Sequence, residues 1–448
     1  VRRALSYNKI GTACKAAPTE ELSAVISPTD RNDNRFLVAT KLRYSPFAMQ
    51  TKHGLQILNG IRGRRYNQSA LRLQINQFMT KYIDFLDHPS ARLRPDWIET
   101  IRKDAFLAET QKRLTSEQLR LCQEQRWLLA IAPKAYGGLE WDLPRIVAFE
   151  EAIGWADGSV GWVFTLCSGA GWFGGFLNED FAKKIFSEKN ACFAGSGAAT
   201  GFADLQEDGS YIVDGIWAYA SGAPDATVFT ANCQIRKNGK IILDNGQPLI
   251  RAFCFLREEV TILETWKEIG LVASAGHSFQ VKKIRVPAVR MFHIDAASRT
   301  IMTPLYQFPF LQLAAATLAA NYSGMCIHFM ELFQELIQTK KGRDGILLRD
   351  KEAVHTLLAQ CVHELETARK NLFDAVQYAW DYLQKNKTIA SETENILPLA
   401  STLTDNCRGI VNRLFPYCGL AVMRADTAIS QVWRDFQTGS QHALFCPA

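Results

Sequence analysis

The stretch G-A-G-W-F-G at residues 169–174 has the glycine spacing of a dinucleotide-binding loop, which would imply a Rossmann fold. Such a loop needs a strand before it, a helix opening after it and an acidic residue about twenty positions on. Residues 160–166 lead into no βαβ unit. Bulky Trp172 and Phe173 follow the second glycine, and Glu179 and Asp180 come too early to reach a ribose. The segment is therefore expected to be a site of close helix packing. A second near match, G-S-G-A-A-T-G at 195–201, has the wrong last spacing and falls at a predicted strand. Any cofactor is held in another way.

Three rhythms surround this stretch. From about 68 to 190 the pattern is helical: Leu73, Ile75, Phe78, Met79, Ile83 and Leu86 recur mostly three or four apart. Asp96, with Glu99 three residues on, reads as the N-cap of a further helix. From about 191 to 295, short runs rich in β-branched and aromatic residues alternate with turn signals such as E-D-G-S, R-K-N-G-K and D-N-G-Q-P. Closely spaced strands with no helices between them predict an antiparallel barrel or sandwich. From about 309 the helical pattern returns. Residues 348–384 contain neither glycine nor proline and read as one long helix burying Leu357, Leu358, Cys361, Leu365, Ala368, Leu372 and Tyr378. The layout is α+β in sections 1–66, 67–190, 191–300 and 301–448.

Composition narrows the classes. The chain has 448 residues, 47% of them hydrophobic, which is room for two or three domains. No apolar run approaches the roughly 18–20 residues of a membrane span, so no membrane is expected. Eleven cysteines are scattered without a C-x-x-C, which suits buried thiols in a reducing, cytoplasmic setting. The eight histidines include no H-x-x-x-H pair, and no metal is expected. Residues 1–66 hold twelve Lys/Arg against four acids, and the first nineteen residues hold no acid. That start resembles a transit peptide or a basic arm, but it is read as an irregular leader. The remainder is close to neutral, and nucleic acid is not expected as a partner.

The motifs, in order, are P-K-A-Y-G-G (133–138), a helix carrying E-E, W-V-F-T (162–165) and A-G-S-G (194–197). They continue with Y-I-V-D-G-I-W-A-Y-A-S-G-A-P-D-A (211–226), W-K-E-I-G-L-V-A-S-A-G-H-S-F-Q-V-K-K-I-R-V-P (266–287) and W-R-D-F-Q-T-G-S-Q-H (433–442). Over 68–448 this set resembles the acyl-CoA dehydrogenase superfamily. The resemblance implies an N-terminal helical domain, a middle antiparallel β-barrel and a C-terminal four-helix bundle. It also implies FAD or FMN between barrel and bundle, and a homotetramer in which a neighbouring subunit helps to hold the flavin. By motif, Thr165, Ser196, Trp217 and Ser221 fall at flavin-facing positions, and His277 and Ser278 are further candidates for polar groups near it. A flavin independently asks for donors and acceptors along its pyrimidine edge and at N5, and for an apolar wall. Trp217 reads equally well as a core aromatic, and Ser196 as the residue that satisfies a strand bulge.

The last motif separates two activities. Acyl-CoA dehydrogenases commonly place a proton-abstracting glutamate in Y-E-G-T, where this chain has Y-C-G-L with Cys418. Arg434-Asp435 is likewise followed by F-Q-T-G-S-Q-H-A-L-F, with no carboxylate. The R-D-x6-H spacing, with Trp217 where dehydrogenases often have lysine, resembles the flavin-dependent monooxygenase branch. That branch takes reduced flavin from a separate reductase, forms a C4a-hydroperoxide and hydroxylates a small molecule. His442 is then the expected catalytic residue, since an imidazole titrates near neutrality. Two alternatives stand: a dehydrogenase whose base is Glu331, Glu335 or Glu352, and a degenerate flavin-binding homologue. Relatives in the monooxygenase branch often carry a second histidine about where this chain has Ala170.

Overall fold

In the computed structural model, residues 87–446 are described, apart from 296, 387–392 and 394. The expected helix between 68 and 86 and the basic 1–66 segment lie outside the described residues. The first helix begins at a proline. α1 (Pro95–Lys103) has Pro95 at its first position, where a missing N–H costs nothing. Asp96 is therefore inside the helix and not its cap, and its carboxylate is drawn to Arg94 at 2.8 and 3.0 Å. α2 (Ala105–Gln111) follows directly. α3 (Ser116–Glu124) starts at a capping box in which Thr115 and Gln118 exchange hydrogen bonds.

α4 (Leu143–Ala156) and α5 (Gly158–Gly171) meet at Asp157, which closes the first and caps the second by accepting the Val160 N–H at 2.8 Å. α5 runs into a short 3-10 turn, Trp172–Phe176, so G-A-G-W-F-G passes from helix to helix. A Cβ at Gly174 would stand 2.7 Å from the Phe186 ring, the close packing expected of the segment, whereas one at Gly169 would meet nothing within 4 Å. After α6 (Glu179–Phe186) the chain turns to strands at Phe193.

Among the described residues the middle section has ten strands: β1 (Phe193–Leu205), β2 (Tyr211–Ala220), β3 (Val228–Lys237), β4 (Lys240–Ile241), β5 (Leu243–Asp244), β6 (Gln247–Pro248), β7 (Ile250–Leu256), β8 (Thr261–Leu263), β9 (His277–Val286) and β10 (Met291–Phe292). The main sheet runs β10-β7-β3-β1-β2-β9-β8, with β4 beside β3. One pair departs from the antiparallel expectation: β1 and β3 are parallel. Because β2 already occupies one edge of β1, β3 returns on the other edge, pointing the same way. The sheet curls round its own core. Trp217 of β2 and Phe255 of β7 lie three strands apart in the path, yet their rings are 5.7 Å apart. Within the described residues no ladder joins β10 to β8, so hydrogen bonds do not close the expected ring.

α7 (Phe310–Ile337) is 28 residues long and apolar enough, by length and composition, to cross a membrane. The expectation of no such run was too strict. Most of α7 is nevertheless buried, being wrapped by α4, α5, α8 (Glu352–Asn386), α9 (Ile396–Cys418) and α10 (Ala428–Gly439). α8 starts four residues later and ends two residues later than the helix expected over 348–384. It buries Leu358, Cys361, Leu365, Ala368, Leu372, Val376, Ala379 and Leu383, which keeps a three- and four-residue step. Tyr378 falls off that step and is exposed, and Leu357 is only half-buried. The helices before and after the sheet share one hydrophobic core, while the sheet has its own. The described residues all lie in one unit, 77–448.

Candidate active site

Four segments converge where the sheet meets the helices: α5, the end of β2, the loop 270–276 and the turn after α10. The loop is the fastener. The Gly222 N–H donates to Ser274 O at 2.8 Å, which ties the loop to the end of β2. At its other end the Leu271 N–H donates to Asp435 Oδ1 on α10. Gly270 lies so close to α10 that a Cβ would stand 1.9 Å from the Arg434 carbonyl oxygen. Arg434 itself pairs with Glu109 of α2. The Arg-Asp of the last motif therefore docks α10 and sets the turn that carries His442.

At the centre is Trp162 of α5. Its Nε1–H donates to Ser221 Oγ at 3.1 Å, its ring stacks on Tyr322 of α7 at 6.0 Å, and it meets the His442 ring edge-on at 6.1 Å. Three expected residues thus gather here: Ser221, His442 and, one turn along α5, Thr165. Thr165 is buried and its Oγ1 accepts from Asn321 Nδ2 at 3.4 Å. His277 lies opposite Ala220 in the β2–β9 ladder, one residue from Ser221, and its Nδ1 accepts the Trp266 N–H at 3.2 Å. Ser278 is turned away and shares a 2.8 Å hydrogen bond with Thr265. Ser196 lies half-buried on β1, opposite Ala231 of β3, where the register shifts before Gly201. Trp217 is inside the sheet's core at 0% exposure, stacked on Phe279 and donating to Asn232 O at 2.9 Å.

Sequence reading passed over Tyr219. The β2–β9 register shifts between Trp217 and Ala220, and Tyr219 takes a left-handed φ of 67°. That turn throws its ring outward, 69% exposed and edge-on to Trp266. A tyrosine in this conformation has no signature in sequence. Glu150 was also missed. It is fully buried with neither carboxyl oxygen hydrogen-bonded, and burial raises its pKa well above the ordinary value, so it is held as the neutral acid. The E-E pair flagged the position, but only its second member, Glu151, is paired, to Arg369.

Burial also lowers the pKa of His442, and of His277, where Glu264 partly opposes the shift. The Leu444 N–H donates to His442 Nδ1 at 3.2 Å. The neutral ring therefore carries its proton on Nε2. Ser221 Oγ accepts from Trp162 and makes no other side-chain hydrogen bond among the described residues, so its own proton is free. No Cβ built on Gly169, two turns beyond Trp162 on α5, or on Gly197, next to Ser196 on β1, would meet anything within 4 Å. An exposed aromatic ring, two unspent donors and that space suit a flat heteroaromatic cofactor.

The carboxylates that would serve a dehydrogenase are placed otherwise. Both oxygens of Glu331 are engaged at 2.7 Å, one by His88 Nε2 and one by Trp155 Nε1. Glu335 and Glu352 are exposed, and Cys418 is buried.

Residues 312–447 match the family model "Acyl-CoA dehydrogenase, C-terminal domain". The fold is that of the acyl-CoA dehydrogenases. Among proteins of known activity, the chain is 23% identical over 363 residues to the flavin-dependent monooxygenase oxygenase subunit HsaA of Mycobacterium tuberculosis, covering 78% of this chain and 89% of that one. The crystal structure of the M. tuberculosis HsaA monooxygenase superimposes with a TM-score of 0.70 at 22% identity, over 83% of this chain and 94% of the other. XiaF from Streptomyces sp., solved with FADH2 and glycerol, gives a TM-score of 0.70 at 17% identity, over 84% of this chain and 94% of the other. The acyl-CoA dehydrogenase-type fold here thus resembles its flavin-dependent monooxygenase branch.

Proposed function

We propose that the chain is the oxygenase component of a reduced-flavin-dependent monooxygenase that hydroxylates an aromatic or other largely apolar small molecule. The observation that carries this is the pairing of Ser221 and His442 around Trp162, with two unspent donors. Reduced FAD or FMN from a separate reductase supplies two electrons to dioxygen, so that one oxygen atom enters the substrate and the other leaves as water. The similarity to HsaA, named as an oxygenase subunit, supports the separate reductase.

The chain's own residues have these roles. Ser221 offers its hydroxyl proton to the flavin edge. His442 presents Nε2–H, which suits donation to a developing negative oxygen better than removal of a proton. Tyr219 and Trp266 form an aromatic edge, and Thr165 with Asn321 lines the α5–α7 side. The buried Trp162 and Tyr322 exclude water from behind the donors. The same reading takes the protein as a cytoplasmic homotetramer. Its support is that every described cysteine is a free thiol, and that Leu420 and Met423 are 80% and 60% exposed.

The test is single turnover of the protein loaded with chemically reduced FMN or FAD, mixed with ¹⁸O₂ and, in turn, indole-3-acetate and resorcinol as small aromatic probes. One ¹⁸O atom in the product is the expected result. Anaerobic bleaching of the oxidised flavin by an acyl-CoA thioester would overturn it in favour of a dehydrogenase.

A further inference from the structure

We propose that Trp162 is a positioning residue that makes hydrogen-bond donors of both Ser221 and His442, directing one through its indole N–H and keeping the other dry with its ring. The proposal deepens the reading above and rests on it.

A serine hydroxyl has one proton to give and two lone pairs to receive with. Because Trp162 Nε1–H occupies a lone pair of Ser221 Oγ at 3.1 Å, the Ser221 proton must point elsewhere, and no described residue takes it. A serine without that indole could turn its proton back into the protein. The Ser221 carbonyl is separately held by the Cys167 thiol at 3.6 Å, so the backbone keeps its place when the side-chain bond is changed.

The ring of Trp162 acts on His442 by a second route. Trp162 stacks on Tyr322, and the Tyr322 hydroxyl donates to Gly439 O at 2.8 Å. The His442 N–H donates to the same carbonyl at 3.0 Å. A Cβ at Gly439 would stand 3.4 Å from both rings, so the end of α10 rests directly on the stacked pair. The imidazole then lies edge-on to Trp162, where burial favours its neutral form. No charge opposes this from nearby. α5 has no ionisable group from Gly158 to Gly171 except Cys167, whose thiol is held protonated by its contact with Cys192 and by burial. Tyr322 is held un-ionised by burial, and Cys446 is turned to Gln441. The Arg408 guanidinium is taken up by Asp405 and by the carbonyls of Ser440 and Phe445. From the loop side, the apolar Leu271 comes within 3.2 Å of where a Cβ on Gly439 would stand.

The two routes separate in two variants. Trp162→Phe keeps a ring on Tyr322 but loses the N–H, and Trp162→Ala loses both. In the flavin-loaded protein, Trp162→Phe is expected to divert reduced flavin from product to released hydrogen peroxide by about tenfold, the order of one net hydrogen bond. Ser221→Ala should do the same, and the double variant should be no worse than either single one. The flavin-free protein, labelled with ¹⁵N-histidine, gives a readout independent of turnover. His442 should show the Nε2–H tautomer, with a titration midpoint below the ordinary histidine value in the wild type and in Trp162→Phe. The midpoint should return toward the ordinary value in Trp162→Ala. Additive effects of Trp162→Phe and Ser221→Ala, or an unmoved His442 midpoint in a folded Trp162→Ala protein, would overturn the positioning role while leaving the monooxygenase reading intact. A wild type that binds no reduced flavin would instead remove the functional reading, and with it the role proposed here.

Discussion

Arg369 of α8 grips Glu151 of α4 with two parallel hydrogen bonds, Nε to Oε1 and Nη2 to Oε2, both at 2.6 Å and both out of water. Ser323 of α7 adds a third bond to Oε1 at 2.6 Å. Three helices from both sides of the sheet are thus pinned at one carboxylate. Replacing Arg369 with methionine leaves that carboxylate buried without its counter-charge. A loss of about 3–5 kcal/mol is expected, read as a lower urea midpoint at pH 7. A midpoint within error of the wild type would show that water or a rearranged side chain satisfies Glu151.

Asp435 and Asp157 give the acid–base signature of the α10 junction. Burial raises both pKa values, Asp157 to about 6, and for Asp435 the charge of Asp157 adds to the effect. The folded chain therefore holds protons that the unfolded chain has released above about pH 4. The sign follows: the pair's contribution to stability is complete below the unfolded pKa and is lost as pH rises through the folded values. Asp435→Asn keeps an oxygen for the Leu271 N–H and removes one charge. Urea midpoints should fall less steeply between pH 5 and 8 in this variant, and parallel curves would refute the coupling.

Gly169 probes the open side of α5. A Cβ there meets nothing within 4 Å, so Gly169→Ala should keep or raise stability, by up to about 1 kcal/mol of helix propensity. If that space receives the substrate, KM for bulky aromatic substrates should rise several-fold while the affinity for reduced flavin holds. An unaffected KM would place the substrate elsewhere.

Glu331 separates the two chemistries. Its oxygens bridge His88 and Trp155, which is a structural task. Glu331→Gln keeps the shape, and the rate of substrate hydroxylation should stay within about threefold of wild type, well short of the 10²-fold or more that losing a general base costs. A larger fall with unchanged flavin affinity would return Glu331 to the list of bases.

What sequence conveyed, and what it did not, follows the range of the forces involved. Local periodicity marked the change from helix to strand and back, because the 3.6- and 2-residue rhythms are written in neighbouring side chains. The gathering of Ser221 and His442 came through motif resemblance, for no local rule joins residues more than two hundred positions apart. Tyr378 was misjudged because a glycine-free run fixes the existence of a helix but not its buried face, which the partner helices choose. The helix start at Pro95 was visible in principle, since proline at the first position competes directly with an Asp cap. The parallel β1–β3 pair and the outward turn of Tyr219 are products of strand order and one left-handed residue, and neither leaves a pattern in composition.

The division of apolar cores has a consequence for synthesis on the ribosome. The sheet encloses its own cluster from Ala194 to Met291, so it can condense as soon as that stretch has emerged. The helices ahead of it cannot. Their buried faces pack on α7 and on residues as late as Phe436 and Phe445, so they must wait, solvated, for more than a hundred further residues to be made. A nascent chain stalled near residue 300 would therefore present a finished sheet with a sticky leading end. That is the intermediate on which a chaperone would be expected to act.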